Sequence, residues 1–190
     1  MIREKFNPVW LEKILGRAFS SLSPDTYTFL SLSFASLGII FSYFRLHSPA
    51  LLAFVFSGLL DIVDGAVAKY TYQTSAKGAF IDGVADRFSD FFLIISFIFF
   101  GPLSVFLVSS LLYFYLLPTF IIAYANHRSF VHDPDEVKVW RIMHRGKMYL
   151  ALLICFAFIS YAQIGLTIVL VLNIITTMHV IFLCFKHKTY

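Results

Sequence analysis

Charge is scarce in this sequence. Its 190 residues include 15 Lys and Arg and 11 Asp and Glu, or 14% of the chain, where an average soluble domain carries about a quarter. Hydrophobic residues make up 59% and the mean hydropathy is +0.80. So little polar surface excludes a soluble globular domain, and the apolar runs leave no stretch for a separate aqueous one. Cysteine is almost missing. Cys155 and Cys184 both lie in apolar runs without a CxxC spacing or a His cluster, which argues against a disulfide framework and against a zinc site. Apolar and polar residues do not alternate, so a membrane barrel is not expected. An uninterrupted apolar core is missing from the first twenty residues, where Arg3, Glu4, Lys5, Glu12, Lys13 and Arg17 intervene. The N-terminus is therefore expected to stay on the mature protein. Nothing in the chain points to a nucleic-acid partner.

What is present is a series of six apolar segments, about 26–44, 49–69, 76–100, 103–124, 147–161 and 164–185. Each approaches the roughly 20 residues a helix needs to cross a bilayer; the fifth is short and the third has a charged first half. The expected fold is an all-α membrane protein with six transmembrane helices. Before the first span, Val9, Trp10, Ile14, Ala18 and Phe19 recur at helical spacing opposite Glu12, Lys13 and Arg17. This is the pattern of an amphipathic helix lying in the interface plane. The expected organisation is a cytoplasmic interfacial segment over residues 1–22 and a six-helix membrane domain over 23–190. With both termini inside, thirteen of the fifteen basic residues fall on inner segments, Arg45 alone falls on an outer loop, and Arg87 lies in the third span. That asymmetry predicts a multi-pass cell-membrane protein with cytoplasmic termini.

Five acidic residues interrupt the second and third segments: Asp61, Asp64, Asp82, Asp86 and Asp90. On insertion scales each costs roughly 2.5 to 3.5 kcal/mol inside a span, so their presence needs a cause. Helical periodicity puts Asp61, Asp64, Gly65 and Ala68 on one face, and Gly78, Asp82, Asp86 and Asp90 on another. The short connection 70–75 makes the two helices antiparallel neighbours and brings both stripes to one depth near the inner surface. Carboxylates crowded in a weakly hydrated cleft repel one another unless cations neutralise them, and an all-oxygen set suits Mg²⁺ or Mn²⁺. Two metals sharing bridging carboxylates serve phosphoryl chemistry. A divalent-cation transporter is the competing class, but beyond Asp90 the outer parts of the segments contain no acid to continue a path. Asp90 and Arg87 stand at i, i+3, the spacing of an ordinary ion pair.

Asp61-Ile-Val-Asp64-Gly65-Ala-Val-Ala68-Lys69, eight further residues, then Gly78-Ala-Phe-Ile-Asp82-Gly-Val-Ala-Asp86 resembles the CDP-alcohol phosphotransferase signature DxxDGxxAR(x)8GxxxDxxxD. Seven of its eight fixed positions agree, and Lys69 stands where the pattern has Arg. Lysine keeps the charge and loses the planar fork that grips a phosphate at two points. The resemblance implies that Asp61, Asp64, Asp82 and Asp86 hold metal, two Mg²⁺ or Mn²⁺ per site, and that Asp86 also takes the acceptor hydroxyl's proton. It further implies that Asp61, Asp64, Gly65, Ala68, Lys69 and Gly78 meet the CDP group, and that the protein is a homodimer. The reaction so implied transfers the lipid phosphate of a CDP-linked lipid to a small polar alcohol and releases CMP, in phospholipid biosynthesis. Ahead of the fifth span, Arg128, Arg141, Arg145 and Lys147 are candidates to bind a phosphate on that alcohol. Arg145-Gly146-Lys147-Met148 resembles the basic stretch of inositol-phosphate-using members, which favours inositol phosphate as acceptor, with glycerol 3-phosphate or serine as the alternatives.

Overall fold

The computed structural model describes residues 9–101, 103–127 and 145–186, and every regular element among them is helical. The helices are α1 (Val9–Ala18), α2 (Pro24–Tyr43), α3 (His47–Tyr70), α4 (Ala76–Ser96), α5 (Val105–His127), α6 (Arg145–Ala157) and α7 (Ala162–Lys186). Short 3₁₀ turns at Phe97–Phe99 and Ile159–Tyr161 follow α4 and precede α7. The six apolar segments thus correspond to α2 through α7. Among the described residues, four stretches are long and apolar enough to cross a membrane: α2, α3, α5 and Ile159–Lys186. By length and composition α4 and α6 are not among them. The acids Asp82, Asp86 and Asp90 with Lys77 and Arg87 dilute α4, and the 13 residues of α6 rise only about 20 Å against a hydrocarbon core of about 30 Å.

The chain forms two compact units, one ending at Phe100 and one beginning at Gly101. In the first, α2 starts where local chemistry dictates. Ser23 caps it by accepting from the Thr26 amide, Pro24 takes the first helical position, and Asp25 sits in the first turn. The buried face of α2 recurs every three or four residues through Tyr27, Thr28, Ser31, Ala35, Gly38 and Ser42, and its small side chains allow close approach to neighbouring helices. Ser31 donates to the Ser57 carbonyl of α3 at 2.9 Å. A Cβ at Gly38 would lie 2.7 Å from the Phe54 ring. Both reversals in this unit use a non-glycine residue with positive φ, Arg45 between α2 and α3 and Tyr72 between α3 and α4. At each, the following amide reaches back five residues, Leu46 to the Phe41 carbonyl and Gln73 to that of Ala68, the bond that ends a helix in a Schellman turn. Ser75 then caps α4 through the Gly78 amide at 2.9 Å.

The packing of α3 and α4 differs from the sequence expectation that they are close antiparallel neighbours. The tight reversal at 71–75 does make α3 and α4 sequential partners, but the two touch little; α2 packs extensively against both. The stripes therefore converge only near the α3–α4 turn.

α1 packs on α3, and Gly16 makes this possible. A Cβ there would fall 2.3 Å from Tyr70 Cβ and 2.9 Å from the Ala66 carbonyl oxygen. The Trp10, Ile14 and Phe19 side chains of this segment are left exposed. Gly16→Val should force α1 off α3. An overpacking penalty of about 1–3 kcal/mol corresponds to amides at residues 12–18 exchanging about tenfold faster, with α2 and α3 unchanged. Hydrogen exchange read by mass spectrometry checks this.

In the second unit, α5 packs on α7 through Ile122, Ala125, Val180, Leu183 and Cys184. Pro118 sits buried within α5, where the missing amide is tolerated in an apolar helix with packed neighbours. α6 meets α7 where Asn173 donates to Met148 Sδ at 3.3 Å and to the Val169 carbonyl at 2.9 Å. Among the described residues, α5, α6 and α7 contain no carboxylate.

Candidate active site

Asp61 and Asp64 lie one turn apart on α3, and Asp82 is in the second turn of α4. The reversal at 71–75 brings one carboxylate oxygen from each to within 4.8 Å of the others. Asp64 is buried at 5% exposure, and Asp61 and Asp82 are half-buried. Two unit charges about 5 Å apart repel by about 3 kcal/mol at an effective dielectric of about 20, so three together favour capture of a cation. The donor set is all carboxylate oxygen, which suits a hard divalent ion held with its own water ligands. The residues present therefore fit Mg²⁺ or Mn²⁺.

The other signature positions fall around this cluster with different standing. Asp86 is half-buried one turn further along α4 and lies outside the three-carboxylate group. Gly65 follows Asp64 and faces open space, since a Cβ there would meet nothing within 4 Å. Close helix packing is thus not what this glycine serves, and the space beside Asp64 stays open to a ligand. Gly78 is tighter, with Ser75 Oγ at 3.2 Å and Asp25 Oδ1 at 3.6 Å from the position of a Cβ. Ala68 is half-buried on the same α3 face. Lys69 is exposed and pairs with Glu12 of α1. Asp90 is fully buried and bonded to Arg87 Nη1 at 3.3 Å, the ion pair its spacing suggests.

The described part of the basic stretch lies in the other unit. Arg145 and Lys147 open α6, with no acid in its first turn, and the Arg145 guanidinium lies 6.0 Å from the Tyr149 ring centre. Arg128 and Arg141 lie outside the described residues.

Three residues at the first unit's site were not legible as site residues in the sequence. Thr28 of α2 donates to Asp64 Oδ2 at 2.9 Å, Asp25 borders Gly78, and Glu12 engages Lys69. Asp25 and Thr28 stand at i, i+3 at the start of α2, a spacing that by itself does not tie either to the carboxylates of α3 and α4.

Apolar helices carrying a carboxylate cluster beside a helix–turn–helix define a membrane protein with a cluster that could hold a metal ion. Residues 21–185 match the family described as CDP-alcohol phosphatidyltransferase, and the chain belongs to that family. Over 90 residues it is 30% identical to a bifunctional IPC transferase and DIPP synthase of Archaeoglobus fulgidus, covering 47% of this chain and 18% of the relative. Over 73 residues it is 40% identical to an archaetidylinositol phosphate synthase of Aeropyrum pernix, covering 37% and 38%. An uncharacterized protein of Aquifex aeolicus is 36% identical over 70 residues, covering 37% and 36%. The chain spans less than two fifths of the length of each of these relatives.

Proposed function

We propose that the protein transfers the phosphatidyl- or archaetidyl-type group of a CDP-linked lipid to inositol phosphate, releasing CMP. The observation that carries this reading is the meeting of Asp61, Asp64 and Asp82 within 4.8 Å beside the open face at Gly65, in a chain of this family. The acceptor is favoured by relatives named for archaetidylinositol phosphate synthesis and for IPC transfer. It is favoured also by Arg145 and Lys147, two basic residues in the first described turn of α6, whose charges suit a phosphate.

In the reaction, the acceptor's hydroxyl oxygen bonds to the lipid-bearing phosphorus. The bond from that phosphorus to the bridging oxygen breaks, and CMP leaves with the electron pair. A pair of Mg²⁺ or Mn²⁺ ions held by Asp61, Asp64, Asp82 and Asp86 would screen the pyrophosphate and stabilise the charge on departing CMP. Asp86, one turn beyond Asp82, takes the proton from the acceptor hydroxyl. Gly65 and Gly78 let the CDP group approach the backbone, and the small Ala68 side chain keeps the same face open. The reading places residues 1–22 at the cytoplasmic interface and residues 23–190 in a six-span membrane domain that acts as a homodimer, with site and termini cytoplasmic.

Lys69 contributes a point charge to the nucleotide phosphates. Its ammonium has three donors, so it can keep Glu12 while meeting a phosphate. For an exposed contact worth about 1 kcal/mol, Lys69→Ala should raise the KM for the CDP-lipid about fivefold, and Lys69→Arg should leave it unchanged. Equal KM in all three forms removes Lys69 from the site. Acceptor choice is tested by CMP release from CDP-diacylglycerol and CDP-archaeol against inositol phosphate, glycerol 3-phosphate, serine and free inositol. Inositol phosphate should give the highest kcat/KM, and a better rate with serine or free inositol overturns the acceptor assignment.

A further inference from the structure

We propose that Thr28 is a positioning residue for Asp64: its hydroxyl fixes the carboxylate in the orientation that receives the divalent cation. The inference rests on the reading that Asp61, Asp64 and Asp82 hold that ion. Thr28 Oγ1 lies 2.9 Å from Asp64 Oδ2, and both residues are 5% exposed. The same hydroxyl lies 3.3 Å from the Pro24 carbonyl, four residues back on its own helix. It has one hydrogen, and the shorter, charge-assisted contact to the carboxylate takes it.

Other hydroxyls in the helices set the contrast. Ser33, Ser36, Ser42, Ser96, Thr176 and Thr177 all donate to the carbonyl four residues back at 2.7–2.8 Å, the usual outlet for a hydroxyl in an apolar helix. Thr28 stretches that bond and spends its hydrogen on α3. The contact also ties α2 to the carboxylate cluster at the level where α3 and α4 converge. A carboxylate offers about four lone-pair sites. Thr28 uses one and restrains rotation of the group, leaving the rest aimed for coordination, the role that hydrogen bonds to metal ligands generally serve.

The test is direct Mn²⁺ binding to the full chain in detergent, without substrate, with free Mn²⁺ followed by electron paramagnetic resonance and the melting temperature recorded alongside. Wild-type protein should bind Mn²⁺ in a manner that Asp64→Asn removes. Thr28→Val keeps the shape without the hydroxyl and should raise the Kd about tenfold or more, while Thr28→Ser should stay within about threefold of wild type. Should Thr28→Val fail to fold, Thr28→Ala is read the same way. Wild-type Kd in the Val or Ala variant overturns the inference, and so does a Ser variant as weak as Val, which would assign Thr28 to packing by its methyl group. Wild-type protein that binds no Mn²⁺ sensitive to Asp64→Asn would instead remove the metal reading itself, and the inference with it.

Discussion

Asp61→Asn, Asp64→Asn and Asp82→Asn should each lower CMP release by about three orders of magnitude or more. The amide keeps the size and shape of the side chain and removes the negative charge, so each variant isolates the carboxylate's electrostatic role. Polarisation and charge screening by a bound dication supply several kcal/mol of transition-state stabilisation, and about 1.4 kcal/mol is a tenfold change in rate. Asp64→Asn should be the most severe, because its carboxylate is the buried one and accepts a bond from Thr28 of α2. Folding should survive in all three. The cluster lies where like charges crowd, and neutralising one relieves repulsion. Circular dichroism and size exclusion beside the CMP assay separate the two effects. Turnover within tenfold of wild type at millimolar Mg²⁺ or Mn²⁺ would strike that residue from the ligand set.

The double variant Arg145→Ala/Lys147→Ala should raise the acceptor's KM about a hundredfold, with each single change giving about tenfold. Charge-assisted contacts to a phosphate contribute about 1.5 to 3 kcal/mol each, and 1.4 kcal/mol is one decade in affinity. The two residues stand at i and i+2 in the first turn of α6. On the proposed assignment of these residues to the acceptor's phosphate, the KM for the CDP-lipid should stay within about twofold. Parallel loss of both constants would indicate damage to folding, and an unchanged acceptor KM would reduce Arg145 and Lys147 to topological charges.

The carboxylates were legible in the sequence because a charge in an apolar run stands out against its surroundings. Asp61, Asp64 and Asp82 come together as their periodicity on two helices implies. The helices were legible for the same reason, since each of the six apolar segments became a helix with ends within a few residues of the pattern. Packing order was not. The short turn at 71–75 made α3 and α4 look like full-length neighbours, whereas α2, with small residues along one face, packs against both. No local signal announces which helix takes that place. Thr28 was hidden because a hydroxyl in an apolar helix ordinarily satisfies itself on its own backbone, as Ser33 and Ser36 do. Only the placement of α2 against α3 turns Thr28 outward. The Glu12–Lys69 pair spans 57 positions, and its formation depends on Gly16 letting α1 sit against Tyr70.

The most direct test of the central claim is the metal dependence of transfer by the purified chain in lipid nanodiscs. CDP-diacylglycerol or CDP-archaeol is supplied with inositol phosphate, and CMP and the phosphorylated lipid product are both quantified. The account predicts CMP and product in a one-to-one ratio, no turnover in EDTA, recovery with Mg²⁺ or Mn²⁺, and none with Asp64→Asn. Absence of CMP release from both lipids with every acceptor, alongside divalent-cation flux through the same protein in sealed vesicles, would contradict it.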